Sequence, residues 1–109
     1  MTDKTAVIIG AGPAGITLAL RLAAAGWNVM LAEGGGHEYS PHSQGLYQCT
    51  STGLELYAEE TRLRYLGGTS NHWAGRCRPF TPSDFAIAPP GDLPGWPIPY
   101  SEIEGYLAA

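Results

Sequence analysis

The residues best suited to chemistry in the first third of the chain form a glycine-rich turn, Gly10-Ala11-Gly12-Pro13-Ala14-Gly15. This G-x-G-x-x-G spacing is typical of a dinucleotide-binding turn when a strand precedes it and a helix follows it. Gly10 allows the tight turn, Gly12 lets a pyrophosphate approach the backbone, and Gly15 lets helix and strand pack closely. No Lys or Arg lies in the turn, so free N–H groups and the helix dipole would have to bind the phosphates. The competing interpretation is a structural turn in an ordinary β-α-β unit.

An acidic residue, Glu33, follows the turn by about twenty residues and ends the next apolar run. A carboxylate at this position accepts hydrogen bonds from both ribose hydroxyls and repels a 2′-phosphate. Glu33 therefore disfavours NADP. The turn and Glu33 do not distinguish NAD from FAD, because both cofactors contain the ADP half. The competing interpretation of Glu33 is a solvated acid at the end of a strand.

Two strands and one helix must position the turn and Glu33. Residues 6–9 form a short apolar run with β-branched side chains, which predicts a strand buried on both faces of a sheet. Residues 14–25 are rich in Ala and Leu and carry few polar side chains, which predicts a nearly buried helix. Residues 28–32 predict a second strand. The pattern indicates an α/β fold with a Rossmann-like β-α-β unit over residues 1–36.

The later part of the chain is less regular. Residues 54–58 fit a strand or the start of a helix, and periodicity does not decide between them. Residues 61–66 alternate more clearly and predict a strand. Prolines between residues 78 and 100 exclude long regular elements. Residues 101–104 begin with Ser101, an N-cap that predicts a terminal helix.

A second glycine-containing loop follows the strand predicted over residues 61–66. Its sequence is Gly67-Gly68-Thr69-Ser70-Asn71-His72-Trp73. Two glycines followed by two hydroxyls, an amide, an imidazole and an indole make a loop that can lie against a flat ligand and offer it many donors. Arg76 and Arg78 follow and would add positive charge there. The competing interpretation of both arginines is ordinary surface or structural ion pairing.

With the dinucleotide turn ahead of it, this loop resembles the flavin-contacting loop of the glucose–methanol–choline (GMC) oxidoreductases, which are FAD-dependent oxidases and dehydrogenases of alcohols and sugars. Ordered landmarks carry the resemblance: GAGPAG, Glu33-Gly34-Gly35, GGTSNHWAG, Arg78-Pro79 with Asp84-Phe85, and Gly95-Trp96-Pro97-Ile98. The pair His72-Trp73 departs from the usual signature and is similar to the branch containing pyranose oxidase and bacterial sugar and polyol dehydrogenase flavoprotein subunits. The resemblance leaves two roles open for His72, a covalent flavin bond as in pyranose oxidase, or a donor or packing residue beside the ring.

The resemblance implies FAD as the cofactor. The contacts it implies are Gly10, Gly12, Pro13, Ala14, Gly15, Glu33, Gly34, Gly67, Gly68, Thr69, Ser70, Asn71, His72 and Trp73. It also implies hydride transfer from the CH–OH group of an alcohol, polyol or sugar to FAD, with oxygen or an electron-accepting partner subunit reoxidising the flavin.

The proton-abstracting His of GMC enzymes lies near their C-terminus, so no catalytic residue is assigned in this chain. We expect an incomplete FAD-binding domain, in which residues 37–109 supply the flavin loop and a Pro-rich extension, and in which the substrate domain is absent. The alternatives are a non-catalytic dinucleotide-binding fragment and another flavoprotein class such as a monooxygenase.

Composition limits the remaining possibilities. The chain has 109 residues and a formal net charge of −4, which disfavours a nucleic-acid-binding surface. Cys49 and Cys77 are too few for a disulfide scaffold, so reduced thiols in the cytoplasm are expected. Together with His37 and His42, they show no metal-ligand spacing, and we expect no metal site. The start of the sequence lacks the pattern of a secretory leader or a membrane span.

Overall fold

A parallel β-α-β unit begins the fold in the computed structural model, which describes residues 4–86, 91 and 94–107. Strand β1 spans Thr5–Ile9, helix α1 spans Pro13–Ala24 and strand β2 spans Asn28–Ala32. The strands pair in parallel, with Val7 opposite Met30. The α/β class predicted from the sequence is confirmed, almost at the predicted bounds. Met1-Thr2-Asp3, at the start of the sequence, and Pro89-Pro90, among the prolines between residues 78 and 100, lie outside the described residues.

Helix α1 ends because Gly26 takes a conformation that other residues rarely adopt, with φ +79°. The Gly26 N–H donates to the carbonyl of Ala23 at 3.0 Å, and the Trp27 N–H donates to the carbonyl of Leu22 at 3.0 Å. These two bonds satisfy carbonyls that the helix end would otherwise leave open. The chain then turns directly into β2.

The predicted burial of the first strand on both faces is wrong for the described part of the chain. Only Ile8 of β1 is buried, whereas Val7, Ile9 and Met30 are 62%, 88% and 63% exposed. The nearly buried helix is also wrong, since Leu18 and Leu20 of α1 are exposed. A run of apolar residues is typical of a strand that is covered on both faces. The described elements cover one face of this two-stranded sheet and leave the other face bare.

The strand predicted over residues 61–66 is wrong as well. The chain forms two short helices, α2 over Pro41–Gly45 and α3 over Ala58–Thr61. Residues 62–64 follow and pair with no strand in the described part of the chain. Side chains bond to the backbone of this segment instead, and Gln44 makes the largest share of these hydrogen bonds. Gln44 Nε2 donates to the carbonyls of Glu59 and Arg62 at 2.7 and 2.6 Å, and Gln44 Oε1 accepts from the N–H of Arg64 at 3.1 Å. The ambiguous residues 54–58 are irregular until α3 begins at Ala58.

The chain divides into two compact units, Met1–Ala74 and Gly75–Ala109. The first unit contains the elements above and ends with a 3₁₀ helix over Gly68–Asn71. The second unit contains helix α4 over Pro82–Ala86, a 3₁₀ helix over Tyr100–Glu102 and helix α5 over Glu104–Leu107.

Aromatic rings hold the second unit together. Phe85 stacks on Trp96 with ring centroids 5.0 Å apart, and Phe80 and Tyr100 meet Phe85 edge to face. Ser101 does not cap a terminal helix as predicted, because it lies inside the 3₁₀ helix. The carbonyl of Pro99 accepts the first hydrogen bond of that helix instead. No helix within the described ranges has the length and apolar character needed to cross a bilayer.

Candidate functional site

The glycine turn has the backbone geometry that its sequence predicts. Gly10 has φ +98°, which favours glycine, and its N–H donates to the carbonyl of Ala32 at 2.7 Å. A Cβ on Gly15 would lie 1.9 Å from the carbonyl oxygen of Gly10. Only glycine therefore lets α1 start this close to the end of β1.

Gly12 differs from Gly15, because no described atom beyond its own chain neighbours lies within 4 Å of a Cβ placed on Gly12. Its φ of −80° is also open to any residue. Packing among the described residues thus does not require a glycine here. The space beside Gly12 is the kind of cradle that a ligand approaching the backbone needs.

The N-terminus of α1 leaves amides without helical partners. Gly12 is the N-cap and provides no side-chain cap, Pro13 has no N–H, and the first helical bond joins the Ile16 N–H to the Gly12 carbonyl at 3.0 Å. The N–H groups of Gly12, Ala14 and Gly15 precede that bond. With no acidic residue in the first turn of α1, these amides and the helix dipole favour an anionic ligand.

Glu33 lies beside the same turn. Its Oε2 accepts the Ala11 N–H at 2.7 Å, and its Oε1 accepts the Gly35 N–H at 3.0 Å. The hydrogen bond from Ala11 is the main cause that holds the pKa of Glu33 below its ordinary value, and the nearby charge of Arg64 adds to it. An ionised carboxylate has about four lone-pair sites, so each oxygen of Glu33 keeps acceptor capacity for a hydroxyl.

A cavity of about 200 Å³ opens beside this carboxylate. Its lining comes from the turn, from the end of β2 and the residues after it, and from the segment before the second loop. The lining residues are Ala11, Leu31, Glu33, Gly35, Gly36, His37 and Leu66. A carboxylate and one imidazole among small or apolar residues suit a nucleoside that carries hydroxyls at one end.

The two glycine-containing loops meet in the first unit. The Gly67 N–H donates to the Ala11 carbonyl at 2.8 Å, and a Cβ on Gly68 would lie 3.5 Å from the Gly12 Cα. The Leu66 N–H also donates to the Gly36 carbonyl at 2.9 Å. Segments far apart in sequence thus form one continuous surface around the turn.

The polar side chains of the second loop bond to backbone groups of their own segment. Ser70 Oγ donates to the Gly67 carbonyl at 2.6 Å, and Asn71 Nδ2 donates to the carbonyls of Leu66 and Gly68 at 2.8 and 3.1 Å. Thr69 Oγ1 accepts from the N–H of Leu63 at 3.2 Å. These side chains therefore give the loop its shape, whereas His72 and Trp73 lie exposed at its end.

Sequence reasoning missed three polar residues that support the site, namely Ser43, Gln44 and Arg64. Ser43 and Gln44 are buried, and both hydrogen-bond to Arg64. No local pattern in the polar segment of α2 reveals this, because the partners lie about twenty residues away.

In the second unit, Arg78 forms a two-pronged ion pair with Asp84, at 2.8 and 3.0 Å. This contact favours the structural interpretation of Arg78. Arg76 is exposed.

Three comparisons with known proteins bear on these residues. A family described as "FAD binding domain" matches residues 5–65, more than half of the chain. The tRNA 5-methylaminomethyl-2-thiouridine biosynthesis bifunctional protein MnmC of Cupriavidus necator is 34% identical over 74 residues, covering 68% of this chain and 11% of its own length. The 2-methyl-1,2-propanediol dehydrogenase of Mycolicibacterium austroafricanum is 29% identical over 132 residues, covering 95% of this chain and 23% of its own length.

The chain thus spans less than a quarter of either relative. No solved structure gives a significant match. The family match covers β1, the glycine turn, α1, β2 and Glu33. The open amides at the start of α1, the space beside Gly12 and the acceptor capacity of Glu33 fit the ADP half of a dinucleotide. The chain belongs to the FAD binding domain family, and its cofactor is FAD.

Proposed function

We propose that this chain is the ADP-binding and flavin-loop part of a GMC-type oxidoreductase that oxidises a CH–OH group. The observation that carries the proposal is the hydrogen bond from the Gly67 N–H to the Ala11 carbonyl. It joins the loop that resembles the GMC flavin loop to the dinucleotide turn. A relative named as a 2-methyl-1,2-propanediol dehydrogenase, which aligns with 95% of the chain, supports the same class.

Within this proposal, residues 1–36 are a Rossmann-like unit for the ADP half of FAD. The N–H groups of Gly12, Ala14 and Gly15 bind the pyrophosphate. Glu33 accepts hydrogen bonds from the ribose hydroxyls. Gly10, Pro13 and Gly34 shape the backbone around these groups.

Residues 37–109 supply the flavin loop and its Pro-rich extension. Gly67 and Gly68 bring the backbone close to the cofactor, while Thr69, Ser70 and Asn71 hold the loop in shape through the bonds described above. When bound, FAD accepts the hydride that leaves the carbinol carbon. His72 and Trp73 are then exposed toward the flavin side of the site, and His72 is a donor beside the ring.

The substrate, the catalytic base and the electron-accepting partner belong to the whole protein. The substrate class we propose is a small alcohol, polyol or sugar. We assign abstraction of the hydroxyl proton to no residue of this chain, and we propose that the base lies in another part of the whole protein.

Titration of the chain with FAD, ADP and NADP tests the cofactor part of the proposal. We expect FAD and ADP to bind and NADP to bind at least tenfold more weakly, because Glu33 repels the 2′-phosphate. Glu33→Gln removes the charge and should reduce that preference. Equal affinity of the unchanged chain for ADP and NADP would contradict the role of Glu33.

Dye reduction by the whole protein tests the reaction. We expect FAD-dependent reduction of an electron-accepting dye with 1,2-diols, other alcohols or sugars. Reduction by amines or nicotinamides alone would instead indicate another flavoprotein class. Acid precipitation tests His72 separately: flavin colour that stays with the pellet indicates a covalent bond, and colour that moves to the supernatant indicates the donor role.

A second candidate rests on the tRNA-modifying relative, whose identity over its aligned residues is the higher of the two. In this alternative the chain binds FAD for an enzyme that acts on tRNA. The net charge of −4 does not favour a nucleic-acid surface on these residues. Binding of tRNA by the whole protein, measured at two salt concentrations, separates the two candidates.

A further inference from the structure

Arg64 lies next to the proposed ribose site and forms hydrogen bonds through both its backbone and its guanidinium. Its Nη1 donates to the carbonyl of Gly34 and, at 2.9 Å, to the Oγ of Ser43. Its backbone N–H donates to Gln44 Oε1 at 3.1 Å, and its carbonyl accepts from Ser43 Oγ at 3.1 Å. Two buried polar side chains of α2 thus hold both the backbone and the guanidinium of Arg64.

The turn after Glu33 lies directly against this arginine. A Cβ on Gly34 would be 2.5 Å from Arg64 Nη2, and a Cβ on Gly35 would be 2.0 Å from the Arg64 carbonyl oxygen. Contact with the Arg64 backbone therefore requires glycine at position 35, whereas a side chain at position 34 would displace the Arg64 guanidinium. The position of the turn depends on the position of that residue.

The carboxylate of Glu33 depends on the same turn. Its Oε1 is held by the Gly35 N–H, and Gly35 is the residue packed under the Arg64 backbone. The guanidinium bonds to the intervening Gly34 carbonyl. Arg64 therefore acts on Glu33 through the backbone of residues 34 and 35, and its positive charge favours the ionised carboxylate.

We propose that Arg64 is a positioning residue for the ADP half of FAD: it holds the turn at residues 33–35 so that the Glu33 carboxylate faces the ribose hydroxyls. Arg64 itself bonds to the protein and not to the cofactor. This inference rests on the ribose-binding role of Glu33 in the proposed function. It adds the residue that sets the geometry of that carboxylate.

The test compares Arg64→Gln, Arg64→Lys and the unchanged 109-residue chain, with Arg62→Gln as the matched control. Arg62 is an exposed arginine two residues earlier, so its substitution removes the same charge without touching the turn. The ligands are ADP and 2′-deoxy-ADP, which differ by one ribose hydroxyl. Their affinity ratio reports on the contact with Glu33, whereas general loss of structure lowers both affinities together.

In the unchanged chain we expect ADP to bind about tenfold more tightly than 2′-deoxy-ADP, because a hydrogen bond to a charged group is lost. Arg64→Gln should reduce the ratio to about twofold, Arg64→Lys should restore part of it, and Arg62→Gln should leave it unchanged. A ratio for Arg64→Gln equal to that for Arg62→Gln would overturn the proposal.

Hydrogen exchange without ligand provides a second measurement. The amide of Gly35 should exchange faster in Arg64→Gln than in Arg62→Gln, since the turn is no longer held. If Arg64→Gln fails to fold, Ser43→Ala removes one acceptor of Nη1 and should give a smaller change in the same direction. Failure of the unchanged chain to bind ADP overturns the proposed function and this role together, whereas unchanged Gly35 exchange overturns the role of Arg64 alone.

Discussion

The backbone of Ala11 links Gly67 to the dinucleotide turn. Its carbonyl accepts the Gly67 N–H at 2.8 Å, while its own N–H donates to Glu33 Oε2 at 2.7 Å. Ala11 is 1% exposed, so its N–H and its carbonyl are both shielded from water. One buried residue thus connects the glycine turn, the acid after β2 and the second loop, which are the three parts proposed to surround FAD.

Gly15 is expected to matter for folding. Gly15→Ala places a Cβ 1.9 Å from the Gly10 carbonyl oxygen, and the backbone must shift to admit it. We expect the free energy of unfolding to fall by about 2 kcal/mol or more, measured by denaturant titration. Unchanged stability would show that α1 does not start this close to β1 in solution.

Gly12 is expected to matter for the ligand instead. Gly12→Ala meets no described atom within 4 Å apart from its chain neighbours and needs no unusual φ. Because Gly12 is the N-cap of α1, where alanine is less favourable than glycine, stability should fall by no more than about 1 kcal/mol. The added methyl occupies the space proposed for the pyrophosphate, and FAD affinity should fall about tenfold or more. Calorimetry with FAD measures the loss, and Gly15→Ala is the contrasting variant. An affinity equal to that of the unchanged chain would contradict the proposed position of the phosphates.

The lowered pKa of Glu33 predicts that the stability of the fold depends on pH. Its pKa in the folded chain lies below its ordinary value, mainly because of the Ala11 amide. The ionised carboxylate therefore stabilises the fold above pH 4.5, its ordinary value, and this contribution is lost as the pH falls through the folded-state pKa.

Unfolding measured from pH 7 down to pH 3 should show this loss. In Glu33→Gln that part of the pH dependence should disappear, with stability at pH 7 lower by about 1–2 kcal/mol because the hydrogen bonds to a charged group are gone. The exposed Glu38→Gln is the control, and it should keep the pH dependence of the unchanged chain. Identical pH profiles for Glu33→Gln and the unchanged chain would contradict the prediction.

Asp84 is expected to hold the start of α4. The guanidinium of Arg78 keeps the pKa of Asp84 well below its usual range, and the N–H and hydroxyl of Thr81 bond to the same carboxylate. Asp84→Asn should loosen α4 and disturb the Phe85–Trp96 stack, shifting tryptophan fluorescence.

The effect should be small, because the Arg78 side chain is 66% exposed. The part due to the ion pair should weaken with added salt. Glu102→Gln, at an exposed acid of the same unit, should leave the fluorescence unchanged. If both variants give the same spectrum as the unchanged chain, Asp84 does not order this helix.

The sequence alone determined the elements whose signals are local. The apolar runs and the Ala-rich stretch between them specify β1, α1 and β2, because side-chain periodicity and glycine placement act over a few residues. The positive φ of Gly10 and the close contact at Gly15 were likewise predictable from the spacing of the turn. Glu33 was identifiable because the length of a β-α-β unit sets its distance from the turn.

Only the tertiary structure decided what happens to residues 61–66. Their alternation is typical of a strand, but the side chains of Gln44, Ser43 and Thr69 bond to their backbone in place of a neighbouring strand. The contact of Gly67 with Ala11 and the support of Glu33 by Arg64 are also invisible in the sequence. Such hydrogen bonds depend on which distant groups the folded chain brings within about 3 Å, and no local spacing encodes that distance. Burial follows the same rule: the apolar pattern of β1 indicates two covered faces, whereas the described elements cover one.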